Sequence, residues 1–361
     1  MASESARPEI LFDRRGVAGI VILNRPQALN AVTFGMVGAL TRQLADWEGD
    51  PAVTRVIVTA AGERVFSAGG DLRALFDFGR AGHYQAALTY WRAEYALNAL
   101  IKRYRKPYVS LIDGIAMGGG VGISVHGSHR VAGDGFVFAM PEVGIGFIPD
   151  VGATWFLPRL PGLLGLYCAL TGERLGPADG VASGLATHRV ASGRFPDLLA
   201  GLCGNGSVDA LLGAFAEPAG EGPLSARRPV IDRLFVGDTV EGILAALDAE
   251  ATGQAGNAAF AGAAAAAIRL KSPTSLKITL AQLRRGRNLD FAECMRTEFR
   301  IVSRLLLGHD LYEGIRSVII DKDQAPHWQP SSLEAVSGAD VERYFEPQTD
   351  ELALPDELAL S

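Results

Sequence analysis

Two glycine turns and one acidic segment carry the residues of this chain that could do chemistry. The turns cover residues 67–71 and 117–121, and the acidic segment, residues 141–150, contains Glu142 and Asp150. Each turn follows an apolar run typical of a strand and precedes a helical pattern, so its backbone N–H groups can point at one ligand atom. Two such donors form an oxyanion hole, which stabilises negative charge that develops on a carbonyl oxygen. The pattern therefore predicts chemistry at a carbonyl group, with carboxylates nearby.

The two carboxylates of the acidic segment converge only if the chain folds back between them. Glu142 and Asp150 are eight residues apart, and an extended chain of that length spans roughly 26 Å. Gly144, Gly146 and Pro149 are the residue types that a reversal requires. Neighbouring carboxylates in an apolar pocket raise one pKa, which leaves one member a base or nucleophile and the other a proton donor. A glutamate at the start of a helix is the alternative interpretation.

A third carboxylate lies in a segment with helical periodicity, residues 84–104. Glu94 is beside a stripe that recurs at steps of three and four residues and is predicted to face the core: Tyr84, Leu88, Trp91, Tyr95 and Asn98. A partly apolar pocket at this place would raise the pKa of Glu94. The alternative is a glutamate at the edge of the stripe that pairs with Arg92 or Lys102.

Composition and charge exclude several classes of partner. The 361 residues contain 34 Lys and Arg against 40 Asp and Glu, a net charge of −6, so we expect no binding to nucleic acid or to an anionic membrane surface. Apolar stretches end well short of the about 20 residues that a membrane-spanning helix needs. His126 and His129 have a spacing compatible with metal binding, but no third ligand is arranged near them. No metal site is predicted.

The cysteines and the N-terminal residues predict a cytoplasmic protein. Cys168, Cys203 and Cys294 are odd in number, far apart and without a Cys-x-x-Cys pair, which is typical of reduced thiols. Residues 1–8 contain an acid and no apolar core segment, so neither a secretory signal nor a transit peptide is indicated. We therefore expect a soluble protein in the cytoplasm.

The elements that must position these residues change character along the chain. From residue 10 to about residue 190, helical patterns alternate with strand-like runs at residues 19–23, 55–59, 108–112, 130–132 and 136–139. This alternation predicts α/β organisation with crossover connections. From residue 198 onward, Ala, Leu and Gly recur at helical spacing. We predict a core over residues 10–200, a helical C-terminal region over 201–345 and a tail over 346–361.

Nine motifs carry a family resemblance that covers the chain from about residue 10 to residue 330. They are residues 66–73, 106–109, 114–127, 139–152, 156–161, 170–172, 186–188, 272–276 and 313–323. Together they resemble the crotonase (enoyl-CoA hydratase/isomerase) superfamily, most closely its 3-hydroxyisobutyryl-CoA hydrolase branch. The resemblance implies a crotonase-like ββα spiral core followed by C-terminal helices. It implies an acyl-CoA substrate and no separate cofactor or metal, and a homo-oligomer is compatible with it.

The resemblance also assigns roles to the residues singled out above. The backbone amides of Gly70 and Gly119 would hold the thioester oxygen. Glu142 would attack as nucleophile or activate water as base, and Asp150 would orient water and carry the proton to the leaving thiolate. Glu94 would bind the hydroxyl group of the substrate. The implied reaction is hydrolysis of a short β-hydroxyacyl-CoA thioester, above all 3-hydroxyisobutyryl-CoA of valine breakdown.

The residues around the first glycine turn are implied to bind the rest of the substrate. Ala68 and the stretch Asp71, Leu72 and Arg73 correspond to family positions that line the coenzyme A site. The guanidinium of Arg73 can offer a phosphate two parallel hydrogen bonds. A surface salt bridge is the competing role for Arg73.

Some residues depart from the family patterns. Gly122 occupies the position at which hydratases of the family carry a second catalytic glutamate, so one of the two carboxylates that hydration needs is missing. Ala153 and Thr154 stand where the hydrolase branch usually has glycine or serine, and they could reshape the acyl pocket. A hydratase or isomerase of the same fold is the second hypothesis. A non-catalytic acyl-CoA-binding protein is the third, and the presence of Glu142 and Asp150 speaks against it.

Overall fold

A computed structural model describes residues 8–62, 64–253 and 256–354 of the chain. Contacts between residues divide it into two compact units. Unit 1 comprises the described parts of Met1–Gly70, Leu100–Phe138 and Leu175–Gly222, and unit 2 those of Asp71–Ala99, Ala139–Arg174 and Pro223–Ser361. The consecutive regions with boundaries at residues 200 and 345 stay a prediction. Residues 1–7, which entered the argument on targeting, and residues 355–361 of the predicted tail lie outside the described residues.

The described residues form strands in two sheets. The strands are β1 (Ile10–Arg15), β2 (Ala18–Leu23), β3 (Arg55–Ala60), β4 (Val65–Ser67), β5 (Tyr108–Ile112), β6 (Ile115–Met117), β7 (His129–Ala132), β8 (Val137–Ala139) and β9 (His188–Arg189). One sheet has the order β1-β2-β3-β5-β7-β9 and the other β4-β6-β8. Only the β1–β2 pair of the larger sheet is antiparallel, as far as the described residues show. The five predicted strand-like runs are confirmed as β2, β3, β5, β7 and β8.

Apolar side chains of the larger sheet form the core of unit 1. All five residues of β5 are buried, as expected of a central parallel strand that is covered on both faces. Ile57, Val109 and Val131 of neighbouring strands pack in one cluster with residues of two helices, α8 (Phe195–Leu202) and α9 (Val208–Phe215). The remaining helices of this unit are α1 (Phe34–Gly49), α4 (Gly119–Val125) and α7 (Pro177–Ala182).

Unit 2 is largely helical. Its helices are α2 (Leu72–Arg80), α3 (Tyr84–Lys102, of which the last residues belong to unit 1), α5 (Ala153–Phe156), α6 (Leu164–Thr171), α10 (Pro223–Leu234), α11 (Val240–Thr252), α12 (Ala258–Arg269), α13 (Pro273–Gly286), α14 (Phe291–Leu305), α15 (Asp310–Ile315) and α16 (Gly338–Arg343). The predicted helix at residues 84–104 is confirmed as α3. Trp91, Tyr95 and Asn98 of its stripe are buried, whereas Tyr84 at its start is exposed.

Polar caps define where the two long C-terminal helices begin. The Ser272 side chain accepts a hydrogen bond from the Ser275 N–H at the start of α13, and Pro273 occupies the first turn. Asp290 accepts from the Glu293 N–H at the start of α14. Such caps satisfy N–H groups that the helix itself leaves without acceptors. The caps fix the register of α13 and α14, which both reach the candidate site.

The segment after α16 packs against unit 2. Arg92 of α3 donates hydrogen bonds to the carbonyl oxygens of Asp350 and Glu351, both at 2.7 Å. The guanidinium of Arg300 on α14 binds the Glu351 carboxylate at 2.8 Å. Leu352 is buried. The described part of the predicted tail is therefore attached to two helices of unit 2.

Among the described residues, no helix combines the length and the apolar character that crossing a membrane would take.

Candidate active site

The two glycine turns lie side by side in unit 1, because they follow neighbouring parallel strands. β4 pairs with β6 through Val65 and Ile115, and a turn leaves the end of each strand. Gly69 has a φ of 109° and Gly118 a φ of 45°, conformations that favour glycine. A Cβ atom on Gly69 would lie 3.3 Å from the Met117 carbonyl oxygen. Gly69 and Gly118 therefore permit the tight turns that follow β4 and β6.

Each turn presents a backbone donor. The N–H groups of Gly70 and Gly119 have no hydrogen-bond acceptor within residues 8–62, 64–253 and 256–354. Gly119 is the first residue of α4, where helical N–H groups lack partners in the helix. Gly120 packs so closely that a Cβ atom on it would lie 2.6 Å from the Cβ atom of Ser67. This contact holds the start of α4 against β4, and it fixes both donors in one part of unit 1.

The residues next to the first turn divide into structural and exposed ones. Ala68 is half-buried and its N–H donates to the Leu29 carbonyl oxygen at 3.0 Å. The Asp71 carboxylate caps α2 by accepting from the Ala74 N–H at 3.2 Å, and Leu72 is the first residue of that helix. Arg73 is exposed, with its guanidinium 3.5 Å from the Ile319 carbonyl oxygen. The guanidinium of Arg73 is therefore accessible to a ligand.

The three predicted carboxylates are all buried in unit 2. The exposed fractions are 3% for Glu94, 7% for Glu142 and 5% for Asp150. Glu142 opens a short 3₁₀ helix (Glu142–Ile145), and Gly146 follows it with a φ of 69°. A Cβ atom on Gly146 would lie 2.2 Å from the Asp310 carbonyl oxygen, so the close approach requires glycine. The predicted chain reversal between Glu142 and Asp150 uses this turn.

Two tyrosines of α3 hold two of these carboxylates. The Tyr90 hydroxyl donates to Oε1 of Glu94 at 3.1 Å, and the Tyr95 hydroxyl donates to Oδ2 of Asp150 at 2.8 Å. Trp91 stacks on Phe147 with ring centroids 5.6 Å apart and adds apolar surface. The alternative in which Glu94 pairs with Arg92 is wrong, because Arg92 binds the C-terminal segment.

Burial and mutual repulsion keep protons on this cluster. Burial raises the pKa of Glu94 to about 8 and that of Asp150 to about 7. Burial also raises the pKa of Glu142 well above its usual range, and Oε2 of Glu142 has no hydrogen-bond partner among the described residues. The charge of Asp150 adds to the pKa of both glutamates, while the Tyr95 hydrogen bond lowers the pKa of Asp150. Asp150 is therefore the member of the cluster that ionises first.

A fourth buried carboxylate, missed in the sequence, belongs to the same cluster. Glu298 on α14 is 0% exposed, and burial followed by the charge of Asp150 raises its pKa to about 8. It accepts hydrogen bonds from the N–H groups of Gly152 and Thr154, both at 2.8 Å. One signal could have found it, since Glu298 interrupts a buried stripe of α14 that contains Phe291, Cys294, Met295, Val302 and Leu305. Polar residues in such a stripe need partners.

The two departures from the hydrolase pattern lie in the turn beside Asp150. Ala153 and Thr154 begin α5 and are buried. The Thr154 hydroxyl accepts a hydrogen bond from Nε2 of Gln282 at 2.7 Å, and a Cβ atom on Gly286 would meet the Thr154 carbonyl oxygen. Thr154 thus packs against α13.

A separate cavity of about 520 Å³ in unit 2 contains none of the predicted site residues. Its lining includes Arg304, His309, Gln329 and Tyr344. No group of three His, Cys, Asp or Glu side chains within the described residues could hold a metal ion. The candidate catalytic groups of unit 2 are therefore its buried carboxylates, and those of unit 1 are the backbone donors of its two glycine turns.

Curated relatives match nearly the whole chain. The "3-hydroxyisobutyryl-CoA hydrolase, mitochondrial" of Danio rerio is 44% identical over 358 residues, which cover 96% of this chain and 91% of the relative. The "3-hydroxyisobutyryl-CoA hydrolase 1" of Arabidopsis thaliana is 41% identical, with 98% and 96% covered.

The predicted cytoplasmic location is contradicted by these comparisons. The relatives from Danio rerio, Gallus gallus and Xenopus tropicalis are all named mitochondrial. The cysteine pattern argued only against an oxidising compartment, and it does not distinguish between compartments in which thiols stay reduced. The sequence offered no positive signal for the cytoplasm.

Solved structures and a family model agree on the fold. A carnitinyl-CoA dehydratase from Mycobacterium thermoresistibile superimposes with a TM-score of 0.91 at 44% identity, covering 96% of this chain and 99% of that one. An enoyl-CoA hydratase from Rhodobacter sphaeroides gives 0.87 at 39% identity, covering 94% and 98%. These matches confirm the predicted crotonase-like α/β fold with C-terminal helices. The model of the enoyl-CoA hydratase/isomerase family matches residues 18–345, and the chain belongs to that family.

Proposed function

We propose that this protein hydrolyses the thioester of 3-hydroxyisobutyryl-CoA, or of a close β-hydroxyacyl-CoA, to the free acid and coenzyme A. The names of the curated relatives support this substrate. The observation that carries the chemistry is the buried pair Glu142 and Asp150: burial raises the pKa of both, and the charge of Asp150 raises that of Glu142 further. Such a pair holds one proton and one negative charge near neutral pH.

Because the pair shares one proton, it supplies both a nucleophile or base and a proton donor. Because Asp150 ionises first, the pair at rest carries its charge on Asp150 and its proton on Glu142. In the reactive form that proton has passed to Asp150, and the Glu142 carboxylate attacks the thioester carbon or removes a proton from the attacking water. The carbon–sulfur bond breaks, and Asp150 gives its proton to the leaving thiolate. In the nucleophilic route water then cleaves the acyl–Glu142 anhydride, which frees the acid and returns a proton to Asp150. Both routes consume one thioester and one water and release one acid and one thiol.

The backbone donors of the two glycine turns are proposed to stabilise the thioester oxygen in this reaction. Negative charge develops on the thioester oxygen when its carbon is attacked, and fixed donors stabilise that charge without reorganisation. The N–H groups of Gly70 and Gly119 donate to no other acceptor in the part of the chain that the structure describes. They are the proposed oxyanion hole.

Substrate selection rests on residues outside this pair. Glu94, which stays protonated because of burial and the charge of Asp150, can exchange hydrogen bonds with the β-hydroxyl group. Ala68, Asp71, Leu72 and Arg73 are proposed to line the coenzyme A site, with Arg73 as the phosphate contact. No cofactor other than the coenzyme A of the substrate enters the proposal.

Hydration of an enoyl-CoA is the second candidate, because the two solved structures compared above bear hydratase or dehydratase names. Addition of water across a double bond needs one group to activate water and another to protonate carbon. Gly122 lies in α4 with no side chain at the position where the family's hydratases carry a glutamate. The missing carboxylate favours hydrolysis over hydration.

The test compares the two reactions in one preparation. We expect release of free thiol from 3-hydroxyisobutyryl-CoA and 3-hydroxypropionyl-CoA, and little loss of enoyl absorbance from crotonyl-CoA. Glu142→Gln serves as the matched inactive control for thiol release. Rapid hydration of crotonyl-CoA with negligible thiol release would reverse the order of the two candidates.

A further inference from the structure

The turn that follows Asp150 has an unfavourable backbone conformation. Val151 has a φ of 51° and Gly152 a φ of 91°. A β-branched residue in the left-handed region is rare, because its Cβ substituents crowd the backbone. Such conformations persist only where surrounding contacts hold them. Asp150 is therefore attached to a turn that needs support from elsewhere in unit 2.

Two buried side chains from different helices supply that support. Glu298 of α14 accepts from the Gly152 and Thr154 N–H groups, one at each carboxylate oxygen and both at 2.8 Å. Gln282 of α13 donates from Nε2 to the Pro149 carbonyl oxygen at 2.7 Å, just before Asp150. Hydrogen bonds with Glu298 and Gln282 therefore hold the turn on both sides of Asp150.

We infer that Glu298 is a positioning residue, which holds the turn at residues 150–154 so that the Asp150 carboxylate stays on the Tyr95 hydroxyl. The catalytic role of Asp150 in this inference rests on the proposed function. The two backbone hydrogen bonds of Glu298 go to the turn, and in this inference it acts through Asp150.

The geometry requires a side chain with two acceptor oxygens at this position. Both oxygens of Glu298 face N–H donors, so a glutamine could accept only one of the two hydrogen bonds. The NH₂ group of the glutamine would point at the other backbone N–H group. The two donors would then face each other without an acceptor between them. Because the site is fully buried, water cannot replace the lost acceptor, and a buried donor without a partner destabilises that conformation. Glu298→Gln should therefore release the turn while preserving size and shape.

The first experiment measures the turn directly and does not depend on turnover. Hydrogen exchange of the Gly152 and Thr154 amides is compared in wild type, Glu298→Gln and Glu293→Gln. Glu293 is on the same helix but binds Arg300 and Arg296, which makes its variant the matched control. We expect exchange at least about tenfold faster in Glu298→Gln only. Unchanged exchange in that variant would overturn the inference.

The second experiment asks whether Glu298 acts through Asp150. We expect Glu298→Gln to lower kcat for thiol release by about 10- to 100-fold, as small misplacements of a reacting group do, with KM within about threefold. In an Asp150→Asn background the same change should have little further effect, because coupled residues are non-additive. Fully additive losses would show a merely structural role and overturn the inference.

A second variant covers the case in which Glu298→Gln does not fold. Gln282→Leu removes the support on the other side of the turn, and we expect it to speed exchange of the same amides and to lower kcat in the same non-additive way. Wild-type protein that releases no thiol would defeat the proposed function alone, since the exchange measurement still decides the position of the turn.

Discussion

Glu94→Gln should make folding stability less sensitive to pH. Burial and the charge of Asp150 raise the pKa of Glu94 from 4.5 to about 8 in the folded protein, whereas the unfolded chain has the ordinary value. The folded state therefore keeps a proton that the unfolded state loses as pH rises. The stability that this proton contributes is fully present below pH 4.5 and is lost as pH rises through about 8.

The magnitude follows from the two pKa values. Across pH 5 to pH 7 the unfolded chain lacks most of this proton and the folded chain keeps it, which lowers the free energy of unfolding by about 2 to 3 kcal/mol over the interval. Glutamine carries no such proton. Urea unfolding followed by tryptophan fluorescence at pH 5, 6 and 7 measures the free energy of unfolding. Its decline with pH should be smaller for Glu94→Gln than for wild type, by about that amount.

Glu313→Gln is the matched control for the same measurement. Arg316 lowers the pKa of Glu313 to about 2, so its contribution to stability is present above pH 4.5 and is lost as pH falls toward 2. Between pH 5 and pH 7 it is constant, and the variant should be less stable than wild type by an equal amount at each pH. If the free energy of unfolding of Glu94→Gln falls between pH 5 and pH 7 as much as that of wild type, the reasoning that burial keeps Glu94 protonated is refuted.

Three further outcomes are expected from thiol-release assays. Glu142→Gln should lower turnover by about 10²- to 10⁴-fold, the usual contribution of a general base, and Asp150→Asn should be comparably damaging; near-normal turnover in Glu142→Gln would remove it from the mechanism. Tyr95→Phe removes a hydrogen bond that lowers the pKa of Asp150, so the acidic limb of the rate–pH profile should move to higher pH. An unchanged acidic limb would contradict the effect of Tyr95 on the pKa of Asp150. A chelator should leave the rate unchanged, and a loss restored by added metal would contradict a site of carboxylates and amides.

Local sequence patterns predicted the parts of the site that depend on local structure. The glycines at 69 and 118 indicated turns because few other residues adopt their backbone angles, and Gly146 and Pro149 indicated the reversal after Glu142. The position of Glu94 followed from the three- and four-residue steps of α3. In each case the information lies within a few residues along the chain.

The missed residues depend on contacts between distant parts of the chain. Glu298 and Gln282 are more than 120 residues away from the turn that they hold, and their register against it is fixed by packing of whole helices. Tyr95 was expected to face the core, but its hydroxyl partner is also set by tertiary structure. The left-handed Val151 could not be predicted, since valine is among the residues least suited to that conformation.

The attachment of the C-terminal segment has a practical consequence for anyone who shortens or tags the chain. Arg92 and Arg300, which bind residues 350 and 351, belong to α3 and α14, the helices that carry Glu94 and Glu298. Truncation before residue 350 would remove the carbonyl acceptors of the half-buried Arg92 guanidinium and one of the two carboxylates that bind Arg300. It would also uncover the apolar surface beneath Leu352. Loss of activity in a shortened protein would then reflect loosened helices, although every residue of the proposed site is still present.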